Sequence, residues 1–129
     1  MVEIELMADR PGAAELAEAV REFLEAEVLP TVGDARLRFR VLVAANALAI
    51  AQRDLELGES LLEEEAALLQ RLVGPLTASS PGEQRLLLNR ELARRVRRGD
   101  VPHGTLEALR RIAELKLRVA NPRYLERRK

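Results

Sequence analysis

A chain of 129 residues fits one domain, able to hide roughly two thirds of its unfolded surface, and leaves no room for a second domain of ordinary size. Apolar residues make up 47% and charged residues 33%, a mixture too hydrophobic for a disordered polyelectrolyte and rich in the helix formers Ala, Leu, Glu and Arg. Net charge is zero and cysteine is absent, which excludes disulfides and thiolate chemistry and fits a reducing cytoplasm.

Zero net charge hides an uneven distribution. Met1 to Gly33 carries eight acids and two bases, whereas Glu83 to Lys129 carries six acids and fourteen bases. Such polarity is satisfied internally, across a dimer, or by a partner of opposite sign. All bases but Lys116 and Lys129 are arginine, the side chain suited to bidentate pairing with carboxylates or phosphates. The N-terminus, "MVEIELMADR", has acids where a secretory signal carries bases, so export by that route is not expected. The apolar runs fall short of the roughly 20 residues a membrane span needs.

In chain order, residues 1–8 form an N-terminal segment, and "ADRPGAAEL" marks a helix start with Asp9 near the cap and Pro11 in the first turn. Leu16, Val20, Phe23, Leu24 and Val28 recur at spacings of three and four, so they share a buried face, and Pro30 ends the helix at the turn "PTVG". Asp34 caps a second helix, expected from Ala35 to Leu57 with Gly58 as its terminator. Its middle, "VLVAANALAIA", is apolar on every side, which predicts the central helix of a bundle or the seam of a homodimer. A third helix follows in "ESLLEEEAALLQRLV", with Leu61, Leu62, Leu68, Leu69 and Leu72 as core candidates. The Pro- and Gly-rich "GPLTASSPG" is a loop.

"SPGE" opens the fourth helix: Ser80 caps, Pro81 takes the first helical position and Glu83 reaches back as a capping box. Leu88, Leu92 and Val96 make its buried stripe up to Gly99. The last helix, after "DVPHGT", places Leu106, Leu109, Ala113, Leu117 and Ala120 on one side, with Ile112, Leu115 and Val119 widening that face. Pro122 stops it, and residues 123–129 are expected to be a basic tail in which Tyr124 folds back while the final basic residues stay mobile. The fold class is therefore all-α: an antiparallel bundle of about five helices around the apolar helix over 35–57.

Candidate chemistry is sparse. Asn46 interrupts the apolar run on a stripe with Phe39, Leu42, Val43, Ile50 and Arg53; buried without partners, its amide would cost about 1 to 3 kcal/mol. The spacing favours a residue that sets helix register, with a contact to ligand or partner, shared with Arg53, as the alternative. Arg90, Arg94, Arg97 and Arg98 lie opposite the apolar stripe of the fourth helix and form a weak binding candidate for an acidic protein or a phosphate-bearing ligand. Nucleic acid is not expected, since Phe23, Phe39 and Tyr124 are the whole aromatic supply for stacking. His103, the single histidine, has only Asp100 near it in sequence, and there is no Glu-x-x-His pair; no metal or other cofactor is expected. Glu63, Glu64 and Glu65 spread over about 200° of helix and read as a solvated face. No phosphate-binding loop or nucleophile elbow is present, so no catalytic residue is assigned.

Four segments, "DRPGAAELAEAVREFLEAEVLP", "LRFRVLVAANALAIAQRDLELG", "LNRELARRVRRGD" and "KLRVANPRYLERR", together resemble a small bacterial all-helical domain family of unknown function. That family occurs alone or beside proteins resembling aminoglycoside phosphotransferases and acyl-CoA dehydrogenases. The resemblance implies an accessory to such an enzyme and brings no catalytic residues with it. The expected function is a non-enzymatic interaction or regulatory module with a protein partner, with a binder of an acyl or CoA-like small ligand as the alternative.

Overall fold

The protein is described over residues 11–127 by a computed structural model. Five α-helices and no strand occur among these residues: α1 (Ala13–Phe23), α2 (Ala35–Val73), α3 (Pro81–Arg97), α4 (Thr105–Ala120) and α5 (Pro122–Arg127). The fold is all-α. The chain divides into two compact units, with the boundary after Glu56. The expected cap Asp9 and the segment 1–8 lie outside the described residues.

In the first unit α1 follows Gly12, whose backbone is extended, and runs on into a π-helical turn, Leu24–Val28, and a 3-10 turn, Leu29–Thr31. Pro30, with no N–H to donate, sits in that last turn, where the helical path stops. Asp34 caps α2 as its sequence position predicts: its Oδ2 accepts from the Leu37 N–H at 2.9 Å. The Arg38 guanidinium donates to the carbonyls of Leu29 (3.0 Å), which also accepts the Val32 N–H, and Val32 (3.3 Å), tying the turn to α2.

Two expectations about α1 and α2 need correction. Gly58 does not end the second helix; α2 continues through it to Val73, joining the predicted second and third helices into one of 39 residues. An interior glycine costs about 1 kcal/mol relative to alanine, less than breaking the backbone hydrogen bonds of a helix flanked on both sides by Leu and Glu. Burial is the second correction. The apolar run Val41–Ala51 is not a core helix: only Ala45 is fully buried, while Phe39, Leu42 and Val43 stay exposed. The proposed stripe on α1 fares alike, with no buried residue and Leu16, Val20 and Phe23 about half exposed. A helix that is apolar all round presents more greasy surface than α1 and two short turns have atoms to cover.

The second unit holds the packed core. Ala66 and Leu69 from α2, Leu88 and Leu92 from α3 and Ile112 from α4 form one cluster, with Leu68, Leu72, Val73 and the loop residue Leu76 packed on it. Fully burying each such leucine is worth about 1.5 to 3 kcal/mol. Gly74 (φ 92°) closes α2 with its N–H on the Gln70 carbonyl at 2.8 Å, a left-handed conformation that a side chain would strain. Ser80 Oγ accepts from the Glu83 N–H at 3.1 Å, and Glu83 returns its carboxylate to the N–H and hydroxyl of Ser79, one residue earlier than the simplest capping box. Along α3 Leu88 and Leu92 are buried as the spacing predicts, whereas Val96 is exposed. On α4 the buried register is Thr105, Ala108, Ile112 and Leu115. Leu106, Leu109, Ala113 and Ala120, expected inside, are exposed, because this helix is apolar over two adjacent stripes and the core takes only one. Tail residues Pro122–Arg127 form the short helix α5, against α4.

Candidate functional site

α3 is the most cationic element of the second unit. Its core leucines fix its rotation, so Arg90, Arg94 and Arg97 rise on the opposite side with Arg98 at the helix end. Arg94 is engaged: its guanidinium makes a two-pronged pair with the Glu91 carboxylate, Nε at 2.9 Å and Nη2 at 2.6 Å. Arg95 shares that carboxylate at 3.0 Å and extends to the carbonyls of Leu72 (3.5 Å) and Val73 (3.1 Å), capping the last turn of α2. Hydrogen bonds from Arg94 and then Arg95 hold the Glu91 carboxyl at about 2, and the same bond raises Arg94 above the usual arginine range. Arg90, Arg97 and Arg98 are exposed and meet no carboxylate among the described residues.

The acidic triplet on α2 is not one solvated face. Glu63 is exposed, but Glu64 accepts two hydrogen bonds from Arg111 (2.8 and 3.1 Å) and Glu65 is buried at 5% exposure. Arg85 Nε and Lys116 Nζ each stand 3.8 Å from the Glu65 carboxylate, and its Oε1 makes no hydrogen bond among the described residues. The spread of the three residues around the helix places Glu65 inward, and only the approach of α3 and α4 reveals that it ends up beneath two cations.

Between α4 and α5 runs an open groove of about 760 Å³. Arg110 and Arg118 from α4 line it together with Ala113, Leu117, Tyr124 and Leu125. Arg111 reaches its edge already bonded to Glu64 and Glu114, in that order of effect, and both bonds raise its affinity for its proton. The fold-back of Tyr124 is legible in the sequence. The arginines that meet it there are not, because their convergence depends on where α5 lands.

Asn46 lies on the exposed side of α2, so the cost of burying an amide does not arise there; Arg53, further along, is half-buried. Both belong to the first unit and the arginines of α3 to the second. His103 and Asp100 are exposed loop residues. No group of three or more His, Cys, Asp or Glu side chains with metal-binding geometry occurs among the described residues, and none of the described helices is long and apolar enough to cross a membrane.

A family model described as "Domain of unknown function (DUF6285)" matches residues 30–124, most of the chain. Neither a curated protein nor a solved structure matches the sequence.

Proposed function

We propose, from the premise that the chain belongs to the DUF6285 family, that it is a non-enzymatic interaction module of the cytoplasm, docking through the arginine face of α3 on an acidic surface of a partner enzyme. The observation that carries this reading is the contrast within α3: Arg94 and Arg95 are consumed by Glu91 and the end of α2, while Arg90, Arg97 and Arg98 project without acids. Exposed like charges on one helix side repel one another, so an acidic partner relieves a cost as well as gaining attraction. The enzyme class rests on the resemblance of the four segments above, which suggests a phosphotransferase-like or acyl-CoA-processing protein. Purified enzymes of both classes, titrated calorimetrically with this chain, test it. Binding to one of them is expected, weakened by raised salt and lost when Arg90, Arg97 and Arg98 are all changed to Glu. Binding that the triple variant leaves unaltered overturns the assignment of the face.

A second reading, a binder of acyl or CoA-like ligands, is favoured by the α4–α5 groove, where Arg110 and Arg118 offer charge to phosphates and Leu117 and Leu125 an apolar wall. A rise in melting temperature with CoA or acyl-CoA, abolished by Arg118→Ala, would support it over the first reading.

A further inference from the structure

Residues on a helix advance by about 100°, so Phe39, Leu42, Val43, Asn46 and Ile50 form one strip along α2, closed at its far end by the half-buried Arg53. Phe39 is 67% exposed, Val43 51% and Leu42 48%, and Ala45 on the other side is 2% exposed. The buried side of this helix is thus marked by Ala45, with Val41, Leu48 and Ile50 half-buried, while Phe39, Leu42 and Val43 face out. Singly exposed hydrophobic residues are ordinary, but a continuous strip with an aromatic at one end marks a contact surface.

The charges beside the strip say what covers it. Arg36 and Asp54 are 18 residues apart, five full turns, and so stand on the same flank at opposite ends. Arg38 and Glu56 repeat that spacing on the other flank. Both flanks are therefore basic at the N-terminal end and acidic at the far end, with Asn46 between the midpoints of the two pairs, Ala45 and Ala47. Arg38 gives one guanidinium nitrogen to the carbonyls of Leu29 and Val32, and its positive charge meets no carboxylate among the described residues. A parallel copy would set arginine against arginine and acid against acid. An antiparallel copy reverses this at all four corners, bringing Arg36 to the second copy's Asp54 and Arg38 to its Glu56, and laying Leu42 against its Ile50.

We propose that a second copy of this chain covers the strip of α2 between Arg36 and Glu56, in an antiparallel two-fold pair with Asn46 beside the symmetry axis. The same patch serves both copies, as a two-fold interface requires. At the axis the two Asn46 amides donate to and accept from each other, a polar pair inside an apolar seam that fixes register where leucines alone would slide. This pairing is independent of the docking face on α3, so the two stand or fall separately.

Light scattering and directed cross-linking test it on the full chain, whose lack of cysteine makes any introduced thiol the only one. The expected mass is twice the 14.4 kDa of the chain, falling to one copy for Phe39→Asp with helical circular dichroism retained. Under mild oxidation Asn46→Cys should link to itself, Arg36→Cys alone should not, and a mixture of Arg36→Cys and Asp54→Cys should. Arg36→Glu should weaken the pair and Arg36→Glu with Asp54→Arg should restore it. A monomeric wild-type mass overturns the proposal, as does a dimer in which Asn46→Cys stays unlinked or Arg36→Cys links to itself; a strip covered by a different protein would appear as the first of these.

Discussion

The Glu91 carboxyl lies between two arginines, and it shows how the arginines of α3 are sorted. Hydrogen bonds from Arg94 first and Arg95 second lower it from 4.5 to about 2, which means the folded protein prefers it charged. The contribution of these bonds to stability is therefore complete above about pH 4.5 and fades as the pH falls toward 2. Titration followed by the carboxyl carbon of Glu91 in NMR should show a midpoint near 2, moving up toward 4.5 in Arg94→Ala. A midpoint near 4.5 in the unaltered chain would mean the pairs do not persist in solution. At this scale the sequence places these arginines opposite the buried leucines but does not show the state of each group: Arg94 counts among the candidates by position, yet a glutamate three residues earlier occupies it. For Asn46 the position on the strip is read correctly and the burial is not, since burial depends on what lies opposite.

At the level of elements, the starts of helices are written locally. Asp34 and Ser80 bond N–H groups three residues ahead, so a cap is visible in a four-residue window. Ends are harder, and Gly58 is the instructive case: glycine closes α2 at Gly74 and follows α3 at Gly99, both with positive φ, but is carried inside the helix at position 58. If Gly58 is an interior residue, Gly58→Ala should raise stability by about 0.5 to 1 kcal/mol in chemical denaturation followed by circular dichroism. A loss of stability would place a break in the helix there. On α4 the hydrophobic period identified the helix but offered two neighbouring stripes. The core selected the one containing Ala108 and Ile112, and Leu106 and Leu109 were left outside.

For the whole molecule, the described core is unevenly shared between the units. Of the buried apolar residues described, Ala45 alone lies before the boundary at Glu56, and the fully buried leucines Leu69, Leu88 and Leu115 lie beyond it. Leu88→Ala should therefore cost about 2 to 5 kcal/mol, and Leu86→Ala, two residues earlier on the same helix but half exposed, about 1 kcal/mol. Fluorescence of Tyr124, the one tyrosine of a chain without tryptophan, follows the second unit in such denaturation. Equal costs at the two positions would show that the α3 leucines do not differ in burial. In the first unit, by contrast, Phe39, Leu42 and Val43 stay exposed, and their burial would drive the pairing of two copies.

Taken alone, the order of residues determined that this chain is helical, where the helices capped by Asp34 and Ser80 begin, which sides of the helices are greasy and which are charged. Those properties follow from hydrogen bonds and periodicities spanning a few residues. Only the tertiary structure decided that α2 runs unbroken through Gly58, that Glu65 is buried beside Arg85 and Lys116, that Arg110 and Arg118 meet Tyr124, and that Phe39 and Leu42 stay in water. Each of these depends on which distant segment arrives opposite a given face, and no local pattern specifies that.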